Sequence, residues 1–374
     1  MISEKKLGFG TMRLPLLNPE KAGSIDLEQT KQMVDLFMER GFTYFDTAWM
    51  YHSFRSEHAV REALVERYPR ESFTLATKLH FGYISTKEDR DKVFEEQRRK
   101  CGVDYFDYYL IHAIDGSCYP KYTELDCFSW LQEKKAKGQV KQIGFSYHDG
   151  ADLLDRVLTE HPEMDFVQLQ INYLDWENEG VQSRRCYEVA EKHGIPVIVM
   201  EPVKGGTLAQ LPQEAEELLA ACHPDWSAAS WAVRFAASLP NVAVVLSGMS
   251  SLEQLDDNTS YMADFQPLQQ EEQELIVKAV EAIHRSTVIP CTGCRSCIPG
   301  CPMTIPIARM FLAYNNDRRQ EGTDRWQSQQ DFYERLCKIG KASDCIECGQ
   351  CESVCPQHLP IINYLKEIAE YWGK

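Results

Sequence analysis

From Leu7 to Leu246, short runs of β-branched and aromatic residues alternate with amphipathic stretches. That alternation limits this part of the chain to a parallel sheet joined by crossover helices. The strand candidates are Leu7–Met12, Thr43–Thr47, Thr74–Lys78, Tyr105–His112, Gln142–Ser146, Phe166–Ile171, Pro196–Glu201 and Val242–Leu246. Helical segments between them include Leu27–Arg40, Glu57–Arg67, Asp152–Glu160, Val181–Lys192 and Ser227–Ala237. Eight β/α units in about 250 residues fit a closed (β/α)8 TIM barrel, whose chemistry sits on loops at the C-terminal strand ends. A doubly wound open sheet is the alternative. No Gly-x-Gly-x-x-Gly turn follows an early strand, so the nucleotide fingerprint of that fold is missing.

Beyond Asp264 the pattern changes. A charged helical segment, Gln269–Arg285, leads into two copies of one cysteine spacing, Cys291-x2-Cys294-x2-Cys297-x3-Cys301-Pro302 and Cys345-x2-Cys348-x2-Cys351-x3-Cys355-Pro356. This is the run that wraps a [4Fe–4S] cubane, with the fourth cysteine of each run serving the partner cluster. Cys291, Cys294, Cys297 and Cys355 are then expected to hold one cluster, and Cys345, Cys348, Cys351 and Cys301 the other. Zinc would leave the regular third and fourth cysteines unexplained. Disulfides would need an oxidising compartment, and no signal-like segment opens the chain. The 43 residues from 302 to 344 are too many for a compact hairpin ferredoxin. Ile307–Tyr314, Gln327–Lys338 and Leu359–Tyr371 read as helices of an α-helical two-cluster module. The expected division is a barrel over residues 1–265, a helical connector over 266–285 and the cluster domain over 286–374.

The composition excludes two classes of partner. A net charge of −16 argues against nucleic acid, which demands clustered Lys and Arg. The most apolar stretch, Ser227 to Gly248, is interrupted by Arg234 and Pro240, so no membrane span is expected. The expectation is a cytoplasmic protein.

Polar residues gather at the candidate strand ends: Asp46 and Tyr51 after the second, Lys78 on the third, His112 on the fourth. In a barrel these positions converge on one mouth. Tyr51 could protonate a carbonyl oxygen if a nearby Lys78 ammonium lowered its pKa from about 10. Asp46 would keep Lys78 charged, and His112 would orient the carbonyl or share in the proton relay. Phe45-Asp46-Thr47-Ala48 with Tyr51, Ala76-Thr77-Lys78, Leu110-Ile111-His112 and Gly144-Phe145-Ser146 resemble, in order, the aldo/keto reductase superfamily. The whole chain looks like its bacterial branch with a C-terminal ferredoxin-type 4Fe–4S domain. The resemblance implies a (β/α)8 barrel that transfers hydride from a nicotinamide nucleotide, with Asp46, Tyr51, Lys78 and His112 as catalytic tetrad. It implies further that Ser146 and Gln168 hold the carboxamide, Met200 covers the nicotinamide, and Gly205, Ser247, Gly248 and Ser250 lie on phosphate-binding loops. Asn258 matches the adenine contact. Gln254 stands where the family's Arg meets a 2′-phosphate, so NADP is not favoured over NAD. Trp49, His52, Phe81, Tyr83, Asp115, Tyr147 and Tyr173 are expected to line the substrate pocket.

Carbonyl reduction or alcohol oxidation with NAD(P)H is therefore the leading expectation for the barrel, acting on a small-molecule substrate. Clusters pass single electrons and nicotinamide passes a hydride, so a ferredoxin-like donor feeding the clusters and an FMN is the alternative. A nucleotide-binding redox sensor with structural clusters is a third reading.

Overall fold

In the computed structural model, residues 5–19, 21–291, 293, 297–320, 328–355 and 357–373 are described. Contacts divide the chain into two compact units. The first comprises the chain up to Trp176 with Gln182–Ala209 and Trp226–Gln269; the second comprises Glu177–Val181, Gln210–Asp225 and the chain from Gln270.

The first unit is the expected barrel. Its strands are β1 (Leu7–Gly10), β2 (Tyr44–Asp46), β3 (Thr74–His80), β4 (Phe106–Ile114), β5 (Val140–Tyr147), β6 (Phe166–Gln170), β7 (Val197–Met200) and β8 (Val242–Ser247). They pair in sequence order, all parallel, and β8 returns to β1. Helices cover the outside. Leu27–Glu39 is capped by Asp26, whose side chain accepts from Gln29 N at 3.0 Å. Lys87–Cys101 starts in a Thr86/Asp89 capping box and stops at Gly102 with φ +70°. The expected helix Glu57–Arg67 is shorter and less regular: Ser56–Val60 continues as a π turn over Arg61–Val65.

Strand parity explains how the mouth is built. Side chains alternate across a strand with a period of two. The barrel interior is packed by Tyr44, Ala76, Tyr108, Leu110, Phe166, Ile198, Val244 and Leu246. Phe45, Leu75, Tyr109, Val167 and Val199 have the opposite parity and belong to the layer between strands and helices. Two residues beyond interior positions lie Asp46, Lys78, His112, Gln168 and Met200, so the alternation that fills the barrel also aims these side chains into its C-terminal end. Gly144 shares the inward parity because there is no room for more: a Cβ there would lie 2.4 Å from Phe166 O.

In the second unit, Gln213–Cys222 and Gln270–Arg285 pair, with Arg285 Nη2 2.6 Å from Glu214 Oε1 and His223 Nε2 2.7 Å from Glu272 Oε1. The cysteine-bearing segments fold around helices Ile307–Gln320, Gln330–Leu336 and Ile361–Trp372, with a core that includes Met310, Phe311, Tyr333, Leu365 and Ile368. Part of the expected Gln327–Lys338 segment, Gln327 itself, lies outside the described residues. Buried Asn315 clamps the approach to Cys291 by exchanging two 2.8 Å hydrogen bonds with the backbone of Ile289. Among the described residues no helix is long and apolar enough to cross a membrane.

Candidate functional site

Lys78 is the hub of the barrel mouth. Its fully buried Nζ donates to Asp46 Oδ1 at 2.5 Å and to Thr47 O at 2.8 Å, and lies 3.4 Å from the Tyr51 hydroxyl. Burial alone would discharge the amine, but Asp46 and Tyr51 outweigh it and the ammonium pKa stands above its ordinary value. Asp46 is oriented from its other oxygen by Gln168 Nε2 at 3.3 Å. Tyr51 and His112 meet edge-to-face with ring centroids 6.1 Å apart. Burial, then Lys78 and the neighbouring His80 and His148, hold His112 well below the usual histidine range, so its ring is neutral. Its buried Nδ1 has no hydrogen-bond partner among the described residues.

One expectation about Tyr51 is reversed. Burial raises the phenol, Asp46 and Glu201 add to the rise, and the opposing pull of Lys78 does not cancel it. Tyr51 is therefore held protonated, above the ordinary tyrosine pKa. The chief reason is the burial of the phenol, which outweighs the pull of the Lys78 ammonium.

The expected cofactor residues fall into two groups. Ser146 and Gln168 stand opposite each other on β5 and β6, and Met200 ends β7. The Ser146 hydroxyl accepts from Ala113 N at 2.7 Å, bracing the irregular stretch of β4 where Ala113 has φ +58°. Gly205 and Gly206 lie on a left-handed turn with φ +65° and +102°. Ser247 ends β8, Gly248 follows it, and Ser250 precedes the helix Leu252–Ala263, capped by Ser251. Two of the expected contacts are occupied from within. Gln254 Oε1 accepts from Ser250 N at 2.8 Å, and Asn258 donates to Ser247 Oγ at 2.6 Å while accepting from the Tyr261 hydroxyl at 2.7 Å.

The expected pocket lining divides as well. Trp49 packs against Phe54 and Tyr83 with centroids 6.3 and 6.2 Å apart. His52 instead ties loops together, accepting from Leu14 N at 3.1 Å. Asp115 ties its own turn, accepting from Ser117 N at 2.8 Å. Tyr147 is buried and donates to Gly150 O at 2.6 Å, and Tyr173 is buried against Phe235.

In the second unit a small hollow is bounded by Cys301, Cys345, Cys348 and Cys351, with Pro302, Ile305, Ile307 and Leu365 among its apolar walls. Four cysteines border one apolar space, one of them from the other run, and they are the residue types a cubane requires, although their side chains are not drawn together into a ligand set. No group of three or more His, Cys, Asp or Glu side chains among the described residues is arranged to hold a metal ion. Cys294, expected in the other set with Cys291, Cys297 and Cys355, lies outside the described residues.

Residues 6–281 match the aldo/keto reductase family model. This chain belongs to the aldo/keto reductase family. Residues 290–359 match a model described as a 4Fe-4S dicluster domain. An aldo-keto reductase of Mycobacterium avium is 28% identical over 284 residues, 74% of this chain and 88% of the relative. The uncharacterized oxidoreductase YqkF of Bacillus subtilis is 25% identical over 272 residues, 63% and 83% of the two chains. Among solved structures, aldo-keto reductase AKR11C1 from Bacillus halodurans superposes with a TM-score of 0.60 at 23% identity, covering 75% of this chain and 95% of its own. An aldo-keto reductase from Klebsiella pneumoniae in complex with NADPH superposes with a TM-score of 0.58 at 19% identity, covering 74% and 95%. The chain is thus an aldo/keto reductase-type oxidoreductase carrying a 4Fe–4S domain.

Two charged residues at this aldo/keto reductase mouth escaped the sequence reading. Glu201 follows Met200 with φ +56°, and its backbone oxygen accepts from the buried Asn172 at 3.2 Å. Arg13 follows β1 and reaches the Gly205 and Gly248 loops. Neither stands out in the chain, because the partners that define them are distant in sequence.

Proposed function

We propose that the barrel interconverts a small-molecule carbonyl and its alcohol with a nicotinamide nucleotide, with Tyr51 as general acid. The observation that carries this reading is the reach of one buried Lys78 ammonium to both Asp46 and the Tyr51 hydroxyl. The nucleotide, when bound, supplies the hydride. Ser146 and Gln168 would hold its carboxamide, Met200 would cover its ring, and the loops at Gly205 and Ser247–Ser250 would receive its phosphates. The NADPH bound by the Klebsiella pneumoniae neighbour supports this choice of cofactor class.

The chain's own chemistry then follows from charge and geometry. Tyr51, protonated at neutral pH, gives its proton to the carbonyl oxygen as negative charge develops there. Lys78 stabilises the phenolate left behind, and Asp46 keeps the ammonium in place without reaching the substrate. Neutral His112 can donate to the same oxygen without adding a positive charge. Trp49, Phe54 and Tyr83 present ring faces to the substrate. Tyr51→Phe should lower turnover about 10²–10⁴-fold with nucleotide binding intact. A loss below about fivefold across a panel of aldehydes and ketones would remove Tyr51 as the acid.

We further propose two [4Fe–4S] clusters, one held by Cys345, Cys348, Cys351 and Cys301 and the other by Cys291, Cys294, Cys297 and Cys355. When bound, they carry single electrons. The 4Fe-4S dicluster domain match supports a second reading in which a ferredoxin-like donor feeds the clusters, for which flavin would be the needed two-electron relay. FMN extracted from anaerobically purified protein would favour it.

A further inference from the structure

Resting on the nicotinamide reading, we propose that Arg13 is the cation that recognises the pyrophosphate of the bound dinucleotide. An acidic chain of net charge −16 gains nothing from its overall field when it binds a polyanion, so the attraction must be local. At the two loops read as phosphate-binding, the expected basic residue is absent. Position 254 is a glutamine whose side chain is already bonded to Ser250 N. Lys204, beside Gly205, is ion-paired with the buried Asp175 at 2.5 Å.

Arg13 supplies what those positions lack. A Cβ placed on Gly248 would sit 3.3 Å from its Cδ, and one placed on Gly205 would sit 3.3 Å from its Nη2. The side chain therefore runs from one loop to the other, and both loops are glycine at the point where it passes. Its exposed guanidinium has no hydrogen bond or ion pair with any described residue. Its backbone is anchored separately, through the Ser250 hydroxyl, which donates to Arg13 O at 2.8 Å. Ser250 also leads into the N-terminus of the helix Leu252–Ala263, where backbone N–H groups favour anionic oxygens. The acidic neighbour is Glu201, whose Oε2 would lie 3.6 Å from the same Gly205 Cβ. A planar fork with five donors can bridge two phosphoryl oxygens bidentately, which a lysine cannot.

The test is the affinity of full-length, anaerobically purified protein for NADH, NADPH and ADP-ribose, the last carrying the pyrophosphate without nicotinamide. Arg13→Ala should weaken all three by at least about tenfold and to a similar extent, as expected for the loss of a charge-assisted contact. Arg13→Lys, which keeps the charge and the backbone anchor, should recover part of the loss and guards against a folding artefact in the alanine variant. A loss confined to NADPH would assign the guanidinium to the 2′-phosphate and overturn the pyrophosphate role. Unchanged affinity for all three ligands in folded Arg13→Ala would overturn the inference while leaving the nicotinamide reading standing. Failure of the parent protein to bind any of the three would overturn that reading and this inference with it.

Discussion

Asp46 and Lys78 form an ion pair from which water is almost entirely excluded: Oδ1 and Nζ are 2.5 Å apart, with side-chain exposures of 3% and 0%. A pair in this position holds a charge that neither partner could keep alone, and that charge faces Tyr51.

Removing one partner strands the other in a low-dielectric site. Lys78→Ala should destabilise the barrel by about 3–5 kcal/mol, the range for an uncompensated buried charge. Lys78→Met, which removes the charge but fills the space, should be destabilised less even though both are inactive. Equal unfolding midpoints for the two variants would show that the stranded Asp46 charge, and not packing, dominates.

The pH profile follows from the direction of the Tyr51 shift. The phenol is raised above the ordinary value of 10.0, so the protonated form extends upward in pH. Carbonyl reduction should show no alkaline decline from Tyr51 below that value, and alcohol oxidation, which needs the phenolate, should rise with pH throughout. A Tyr51-dependent alkaline limb near pH 8 in reduction, absent from Tyr51→Phe, would contradict the assigned direction.

Gly144 tests the close packing beneath the site. Gly144→Ala places a Cβ 2.4 Å from Phe166 O and 2.8 Å from the Phe166 ring, backbone and side chain that have little room to retreat. Overpacking of this kind typically costs about 1–3 kcal/mol. The thermal midpoint should fall, and nucleotide affinity with it, because Ser146 and Gln168 lie two residues further along the same strands. An unchanged midpoint would mean that β5 and β6 can part without penalty.

Iron stoichiometry reports the crossing of ligands between cysteine runs. Anaerobic protein should contain about eight iron and eight labile sulfide per chain. Cys301→Ala should damage the same cluster as Cys348→Ala, giving matching losses of iron and matching paramagnetic spectra, although the two residues belong to different runs. Cys301→Ala giving instead the spectrum of a Cys291 variant would break the proposed pairing.

Cofactor preference turns on Gln254. With that side chain bonded to Ser250 N and no charge on it, the 2′-phosphate gains little, and NADPH should bind no tighter than NADH. A preference for NADPH beyond about tenfold, 1.4 kcal/mol, would require a cation other than position 254.

The eight strands and their order were legible because each is a local pattern: a run of apolar residues with a period of two needs no knowledge of what it packs against. The cysteine runs were legible for a similar reason, since three thiolates on one short loop depend only on spacing. Within the barrel the positions of Asp46, Lys78 and His112 follow from parity, which a strand carries in its own residues. The direction of the Tyr51 pKa did not, because it depends on how deeply the phenol is buried and on how far the Lys78 ammonium offsets that burial. Nor did the engagement of Gln254 and Asn258, or the reach of Arg13 to glycines nearly two hundred and more residues away. Periodicity is set by neighbours along the chain and determined the architecture of this protein. Burial, hydrogen-bond partners and the meeting of distant loops arise only when the barrel closes, so the tertiary structure alone decided which of the expected residues are free to act.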